Sequence, residues 1–412
     1  MDVMYPNGCG LDVHKQTVVA CLLWRDECGK RQKEIRTFAT LTADLLQLAD
    51  WLDAHGCTHV AMESTGVYWK PIYNLLEGNF ELLLVNARHL KAVPGRKTDV
   101  RDCQWIAELL EHGLLKRSFV PPVEIRQLRD WTRRRRTLKR ARVDEVNRLQ
   151  KILEDANIKL GDVASDVMGK SARAMLAAIV RGVDDPAQLA QLTFGALRKK
   201  REALQAALTG RVTDHHRRLL REVLDHIDYL ERAMARATEE IERLCAPFRE
   251  ALEHMDTTVG VNAHAAQDII AEIGADMSVF PTAAHLASWA GACPGNHESA
   301  GKRKSGKCRK GDPWLGAVLT ECAWAASHSK GTYLSALYHR LAPRRGNKRA
   351  VKAVAHSQLT AIYFMLKYQV AYHELGPGHF DQLNAARITR HHVRRLEQLG
   401  HRVTLEPLAQ AA

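Results

Sequence analysis

Residues 8–24 read GCGLDVHKQTVVACLLW. Two apolar runs, Gly8–Val13 and Thr17–Trp24, flank the polar turn His14-Lys15-Gln16, and short apolar runs broken by a few polar residues read as neighbouring strands. Lys33–Ala39 supplies a third strand and completes a meander. Leu41–His55 then places Leu45, Leu46, Leu48, Trp51 and Leu52 at helical spacing. Thr58–Met62 and Glu81–Val85 are apolar runs of the buried-strand kind, separated by a helical Val67–Leu76. Asp99–His112 is a further helix, with Trp105, Ile106, Leu109 and Leu110 as its apolar positions, and Pro121-Pro122 closes the unit. Residues 1–122 therefore read as an α/β domain.

Beyond it the pattern changes. Ile125–Leu153 reads as one helix and carries the run Arg133, Arg134, Arg135, Arg136. A run of this kind is either a solvated face or a contact to nucleic acid. From Leu220 the apolar positions follow a heptad, namely Leu220, Val223, Ile227, Leu230, Met234, Ala237, Ile241 and Leu244. That spacing predicts a coiled coil or a long helix hairpin, paired within one chain or between chains. Residues 123–250 are thus expected to be a helical, coiled-coil region. Residues 251–375 form a mostly helical third unit with Gly-rich turns, and 376–412 form a polar tail without a readable motif.

The composition is that of a folded chain: 412 residues, 46% hydrophobic and 26% charged, with a formal net charge of +13. Such a length suggests several domains. The positive excess favours a polyanion as partner, whether DNA, RNA or an anionic membrane. The opening MDVMYPNGCG has no apolar signal core, and the longest apolar runs fall well short of the ~20 residues of a spanning helix. Nucleic acid is therefore the expected partner, in the cytoplasm and with no membrane. The nine cysteines contain no CxxC pair, which indicates reduced thiols and neither a zinc site nor a disulfide framework.

Four acids stand out. Asp12 ends the first strand in GLDVHK, Glu63 ends the fourth in AMESTG, and Asp99 and Asp102 lie three apart in KTDVRD, on one helical face. Singly, each has a plainer reading: a turn residue, or helix initiation for Asp99. Together at one sheet edge they would repel unless cations neutralised them, and hard oxygen ligands suit Mg²⁺ or Mn²⁺. Two such ions, about 3.5–4 Å apart, clamp the attacking and leaving oxygens of a phosphoryl transfer. A strand meander followed by a helix, with acids at the first and fourth strand ends and on a late helix, is the ribonuclease H-like arrangement.

A second segment, Ala290–Leu319, reads AGACPGNHESAGKRKSGKCRKGDPWLGAVL. Lys302, Arg303, Lys304, Lys307, Arg309 and Lys310 sit among small, flexible residues, a composition suited to close approach to phosphates. Ser299 lies just upstream. A serine hydroxyl needs a base, a metal or a charged clamp to act as nucleophile; the cations offer the clamp, and Glu298, His297 or the distant carboxylates offer the base. Spacing alone does not separate Ser299 from Ser305, or either from an ordinary turn serine. Upstream, TVGVNAHAAQDIIAEIG from Thr258 reads either as a helix-hairpin-helix grip on a phosphate backbone, with Asn262 as a left-handed turn residue, or as a plain helix start.

These segments together resemble a known family. GLDVHK, AMESTGVYWKP and KTDVRDCQWIAELL look like its N-terminal RuvC-like domain. TTVGVNAHAAQDIIAEIG, HLASWAGACPGNHESAGKRKSGKCRKGDPWLGAVL and AWAASH look like its C-terminal transposase domain. The family is that of the DEDD transposases of the insertion sequence one-ten type, the bridge-RNA-guided recombinases. The resemblance covers roughly residues 8–120 and 255–370, with the coiled coil expected between them. It implies that Asp12, Glu63, Asp99 and Asp102 are the DEDD acids and that Ser299, in its Ser-x-Gly context, is the nucleophile. It implies a composite site with a phosphoserine intermediate, a structured bridge RNA that pairs with donor and target DNA, and a homo-oligomer in which dimers assemble to a tetramer. Asn262 departs from the usual second turn glycine. Two other readings compete: a RuvC-like, metal-dependent nuclease acting on branched DNA through the acids alone, and a nucleic-acid-binding protein without catalysis.

Overall fold

The computed structural model describes residues 3–64, 66–86, 90, 102–295, 297–383 and 385–406. The chain divides into two compact units, Met1–Val120 and Pro121–Ala412.

The first unit is built on five strands: β1 (Gly8–Val13), β2 (Thr17–Arg25), β3 (Arg31–Ala39), β4 (His59–Glu63) and β5 (Glu81–Val85). Their order in the sheet is β3-β2-β1-β4-β5. The meander β1-β2-β3 is antiparallel, while β4 and β5 run parallel to β1. Antiparallel neighbours need only the tight turns the sequence supplies; the parallel ones need crossovers, provided by α1 (Thr42–Ala54) and α2 (Trp69–Leu76). Leu45, Leu48, Trp51 and Leu52 of α1 and Ile72, Tyr73 and Leu76 of α2 pack in one cluster with Leu11, Val18, Val60 and Met62 from the sheet. This strand order, with acids at the ends of β1 and β4, is consistent with the ribonuclease H-like arrangement read from the sequence.

The other face of the sheet carries α3 (Asp102–Glu111). Its backbone lies directly on β1: a Cβ at Gly10 would sit 2.3 Å from the Cys103 carbonyl oxygen and 2.4 Å from the Ala107 nitrogen. Only glycine permits that approach, so the position of α3 depends on the residue two places before Asp12.

The second unit is almost entirely helical. α4 (Val123–Asp155) pairs with α6 (Asp214–Cys245). Leu138 packs with Leu230 and Ala233, Glu145 meets His226 at 3.0 Å, and Asp155 meets His216 at 2.8 Å. The partner number falls as the α4 number rises, so the helices are antiparallel. The heptad helix thus finds a partner in its own chain, burying Leu220, Ile227, Leu230, Ala237 and Ile241. Between them in sequence lies a helical cluster around α5 (Lys170–Val180), whose Met175, Leu176, Ile179, Leu189 and Leu204 share one core with Leu149 and Leu153 of α4 and Leu220 and Ile227 of α6, which the heptad pattern does not announce.

The rest of the unit packs α7 (Ala263–Ile273), α8 (Pro313–His328), α9 (Tyr333–Arg345) and α10 (Asn347–Tyr368). The polar tail folds in part: α11 (His379–Leu383) is followed by α12 (Ala385–Gln398). No helix among the described residues is long and apolar enough to cross a membrane.

Candidate functional site

The carboxylates occupy the positions that strand register dictates. Leu11 pairs with Met62 in the parallel β1–β4 ladder, so Asp12 and Glu63, the next residue on each strand, stand side by side at the C-terminal ends of adjacent strands. Both are half-buried, and Asp12 Oδ2 lies 3.1 Å from His14 Nε2. Asp102 opens α3 and is exposed. It precedes Cys103, whose carbonyl touches β1 at Gly10. Asp99 lies outside the described residues. Among the described residues, no three His, Cys, Asp or Glu side chains are grouped so as to hold one ion. The available donors are carboxylate oxygens on rigid elements, the donor type that Mg²⁺ and Mn²⁺ prefer.

The serine segment, read as a flexible basic loop, is a β-hairpin. β6 (His297–Ser299) pairs antiparallel with β7 (Lys302–Ser305), and Ser299 stands opposite Lys302. The stem continues through Gly295 N–H, which donates to the Lys307 carbonyl at 3.1 Å. Two residues close the tip, Ala300 at φ 50° and Gly301 at φ 72°. Both are left-handed, as a two-residue turn matched to strand twist requires. Gly301 adopts this conformation freely, whereas Ala300 is strained by roughly 1 kcal/mol. Ser299 is therefore the last residue before a strained turn, and it is exposed.

The hairpin forms one wall of a groove of about 1440 Å³. Lys304 and Lys307 line that wall; Arg345 of α9 and Lys348, Arg349 and Lys352 of α10 line the opposite one. Ser305 lines the groove as well, as does His356, whose pKa burial lowers from the usual 6.5. Lys302, Arg309 and Lys310 are exposed, and the side chain of Arg303 lies outside what is described. The cations of α9 and α10 went unread in the sequence, although the run RRGNKRAVK, residues 344–352, announces them.

The arginines of α4 have a different situation. Arg133 donates through Nε and Nη2 to both Glu272 oxygens at 2.8 Å, and Nη2 also reaches Asp312 at 3.3 Å. Arg135 donates to Gln267 at 2.8 Å and to Asp268 at 2.7 Å. Arg136 pairs with Glu321 and Asp268. Arg129, outside the run, donates to the carbonyls of Ala271 and Glu272. This stripe clamps α4 onto α7 and α8, so the charges of Arg133, Arg135 and Arg136 are neutralised within the fold. Arg134, on the far side of the helix, is exposed.

The turn before α7 corrects one expectation. Asn262 is not left-handed but extended, at φ −111° and ψ 171°, and its side chain accepts from Ala265 N–H as a helix cap. The left-handed residue there is Gly260, at φ 82°.

Two family models match the chain. A transposase model of the DEDD IS110 type matches residues 9–158. A model described as transposase IS116/IS110/IS902 family matches residues 252–339. The first spans the sheet, its acids and the start of the long helix pair; the second spans α7, the serine hairpin and α8. The protein is a transposase, and it belongs to the IS110 family. No curated protein sequence matches the chain.

Proposed function

We propose that this transposase cuts and rejoins DNA through Ser299, supported by metal-bound carboxylates and directed by a structured guide RNA. The observation that carries the reading is the presentation of Ser299: exposed, next to the strained turn of a hairpin and opposite Lys302, with Lys304 and Lys307 of the same hairpin segment among the six cations that line a groove. Strain of this kind persists where surrounding structure holds it, and it clusters at functional sites.

Ser299 Oγ attacks a backbone phosphorus. The Oγ–P bond forms, one P–O bond of the strand breaks, the serine proton passes to a base, and the leaving oxygen is protonated. Attack on the phosphoserine by the hydroxyl end of a second strand reverses these bonds and joins the strands. Lys302 and the groove cations Lys304, Lys307, Arg345, Lys348, Arg349 and Lys352 hold the phosphates and offset charge in the transition state. Asp12, Glu63, Asp99 and Asp102 are assigned to Mg²⁺ or Mn²⁺, which when bound supplies Lewis-acid stabilisation of phosphoryl oxygens.

Partners follow from the family reading. Donor and target DNA are the substrates, and a structured bridge RNA selects them by base pairing, so side chains carry little of the sequence specificity. The antiparallel pair α4–α6 is assigned as the coiled coil, and dimers assemble to a tetramer.

The test is Ser299→Ala beside Ser305→Ala. The first is expected to abolish strand exchange and the covalent protein–DNA adduct while DNA and RNA binding persist; the second retains both activities. Exchange by Ser299→Ala at the wild-type rate sinks the assignment. Sequencing the RNA that co-purifies with the full chain tests guidance: a discrete structured species supports it, and heterogeneous cellular RNA rejects it.

A further inference from the structure

The C-terminal stretch carries no recognisable motif, yet it forms α12, none of whose residues is buried. Across a cleft of about 300 Å³, Arg387, His391 and His392 of α12 face Arg340 and Arg344 of α9. Among the described residues, Ile388 is the one remaining lining residue and no carboxylate lines the cleft. The two arginines of α9 are four apart and so share one helix face. The Arg340 guanidinium lies 5.2 Å over the ring of Phe380, within the ~6 Å of a cation–π contact. That ring in turn stacks on Tyr333 at 5.0 Å.

Like charges gathered on two facing helices repel one another, and among the described residues the lining holds no acid to neutralise them. The contrast with α4 is direct, since Arg133, Arg135 and Arg136 each meet an acid of this chain. Guanidinium forks are shaped for bidentate contact with phosphate oxygens. We propose that the cleft between α9 and α12 seats a phosphodiester backbone, making the C-terminal helix a nucleic-acid-binding element separate from the serine hairpin. An anionic membrane would match the same charges. Lying on a flat bilayer, however, needs the cations spread along one outward face, whereas here they converge from two helices on one cleft. The inference does not depend on Ser299 or on the carboxylates.

The experiment uses the full chain and two variants with substitutions on exposed positions. Arg340→Gln/Arg344→Gln changes one wall, and Arg387→Gln/His391→Gln/His392→Gln changes the other. Binding of a short duplex DNA and of a single-stranded RNA of equal length is measured over a range of salt. Each arginine that neutralises a phosphate contributes about 0.9 to the slope of log K against log salt on duplex, and about 0.7 on a single strand. The α9 variant is therefore expected to lose about 1.8 units on the duplex or about 1.4 on the single strand, and the probe that shows its loss identifies whether DNA or RNA occupies the cleft. The α12 variant shifts the slope with the same probe. Unchanged slopes with both probes overturn the proposal, as does weakened binding to phosphatidylserine vesicles with the nucleic-acid slopes intact.

Discussion

Both carboxylate oxygens of Glu272 are occupied by one guanidinium, that of Arg133, at 2.8 Å each. Glu272 is only 2% exposed, and Arg129 lies 3.2 Å from the same carboxylate. Burial raises the Glu272 pKa, and the facing arginines oppose that rise. Removing one partner of a buried pair leaves an uncompensated charge, which costs about 3–5 kcal/mol. Glu272→Ala is therefore expected to lower the unfolding free energy of the helical unit, measured by urea titration, by that order, and Arg133→Ala to do the same. Arg134→Ala, on the solvent side, leaves the unfolding free energy within about 0.5 kcal/mol of wild type. Equal midpoints for Glu272→Ala and wild type would show that the clamp adds no stability.

Gly10 sets the placement of α3 and with it of Asp102. Gly10→Ala forces a methyl to within 2.3 Å of one backbone atom and 2.4 Å of another, neither of which can rotate away. Overpacking of this kind costs about 1–3 kcal/mol. The thermal midpoint of the first unit should fall accordingly, and strand exchange should fall further than stability explains, because an acid shifts with the helix. Full activity in a destabilised Gly10→Ala would separate the position of Asp102 from catalysis.

On the proposed reading, Asp12 contributes through its charge. Asp12→Asn preserves shape and can still hydrogen-bond His14, so folding is expected to persist. Loss of a charged oxygen ligand should reduce strand exchange about a hundredfold or more and raise the Mg²⁺ concentration needed for half-maximal rate. Rate measured against Mg²⁺ and Mn²⁺ checks this. A wild-type rate and an unchanged metal requirement would remove Asp12 from the set.

Alternation and helical spacing announced the five strands and α1 to α3 of the first unit, because that sheet is paired locally and its buried face repeats along short segments. The Asp12–Glu63 neighbourhood was legible for the same reason: each residue follows a buried run. The role of Arg133, Arg135 and Arg136 was not, since a run of arginines looks the same whether water or Asp268 and Glu272 face it, and those acids lie more than 130 residues away. Nor was the hairpin at 297–305, whose Lys and Arg content is poor in strand formers and whose turn uses Ala300 where Asn or Gly is usual. The cations of Arg345 to Lys352 reach the groove through packing of α9 and α10, which no local pattern encodes.

His356 gives the groove a measurable pH response. Burial lowers its pKa from the usual 6.5, and the Cys293 Sγ lies 3.9 Å from its Nδ1. A histidine with a depressed folded pKa is neutral in the fold while the unfolded chain still takes up a proton. Stability is therefore complete above about pH 6.5 and declines as pH falls from there towards the folded pKa. His264, likewise lowered by burial and by Arg135, adds in the same direction. The melting temperature should drop between pH 7 and pH 5.5, and His356→Gln should remove part of that drop. The imidazole resonances of His356 should titrate below 6.5 in the free protein; a midpoint at or above that value would mean that burial does not dominate. Adding a short DNA should move the midpoint upward, because a phosphate in the groove favours the charged ring. A midpoint indifferent to DNA would place the backbone elsewhere than beside His356.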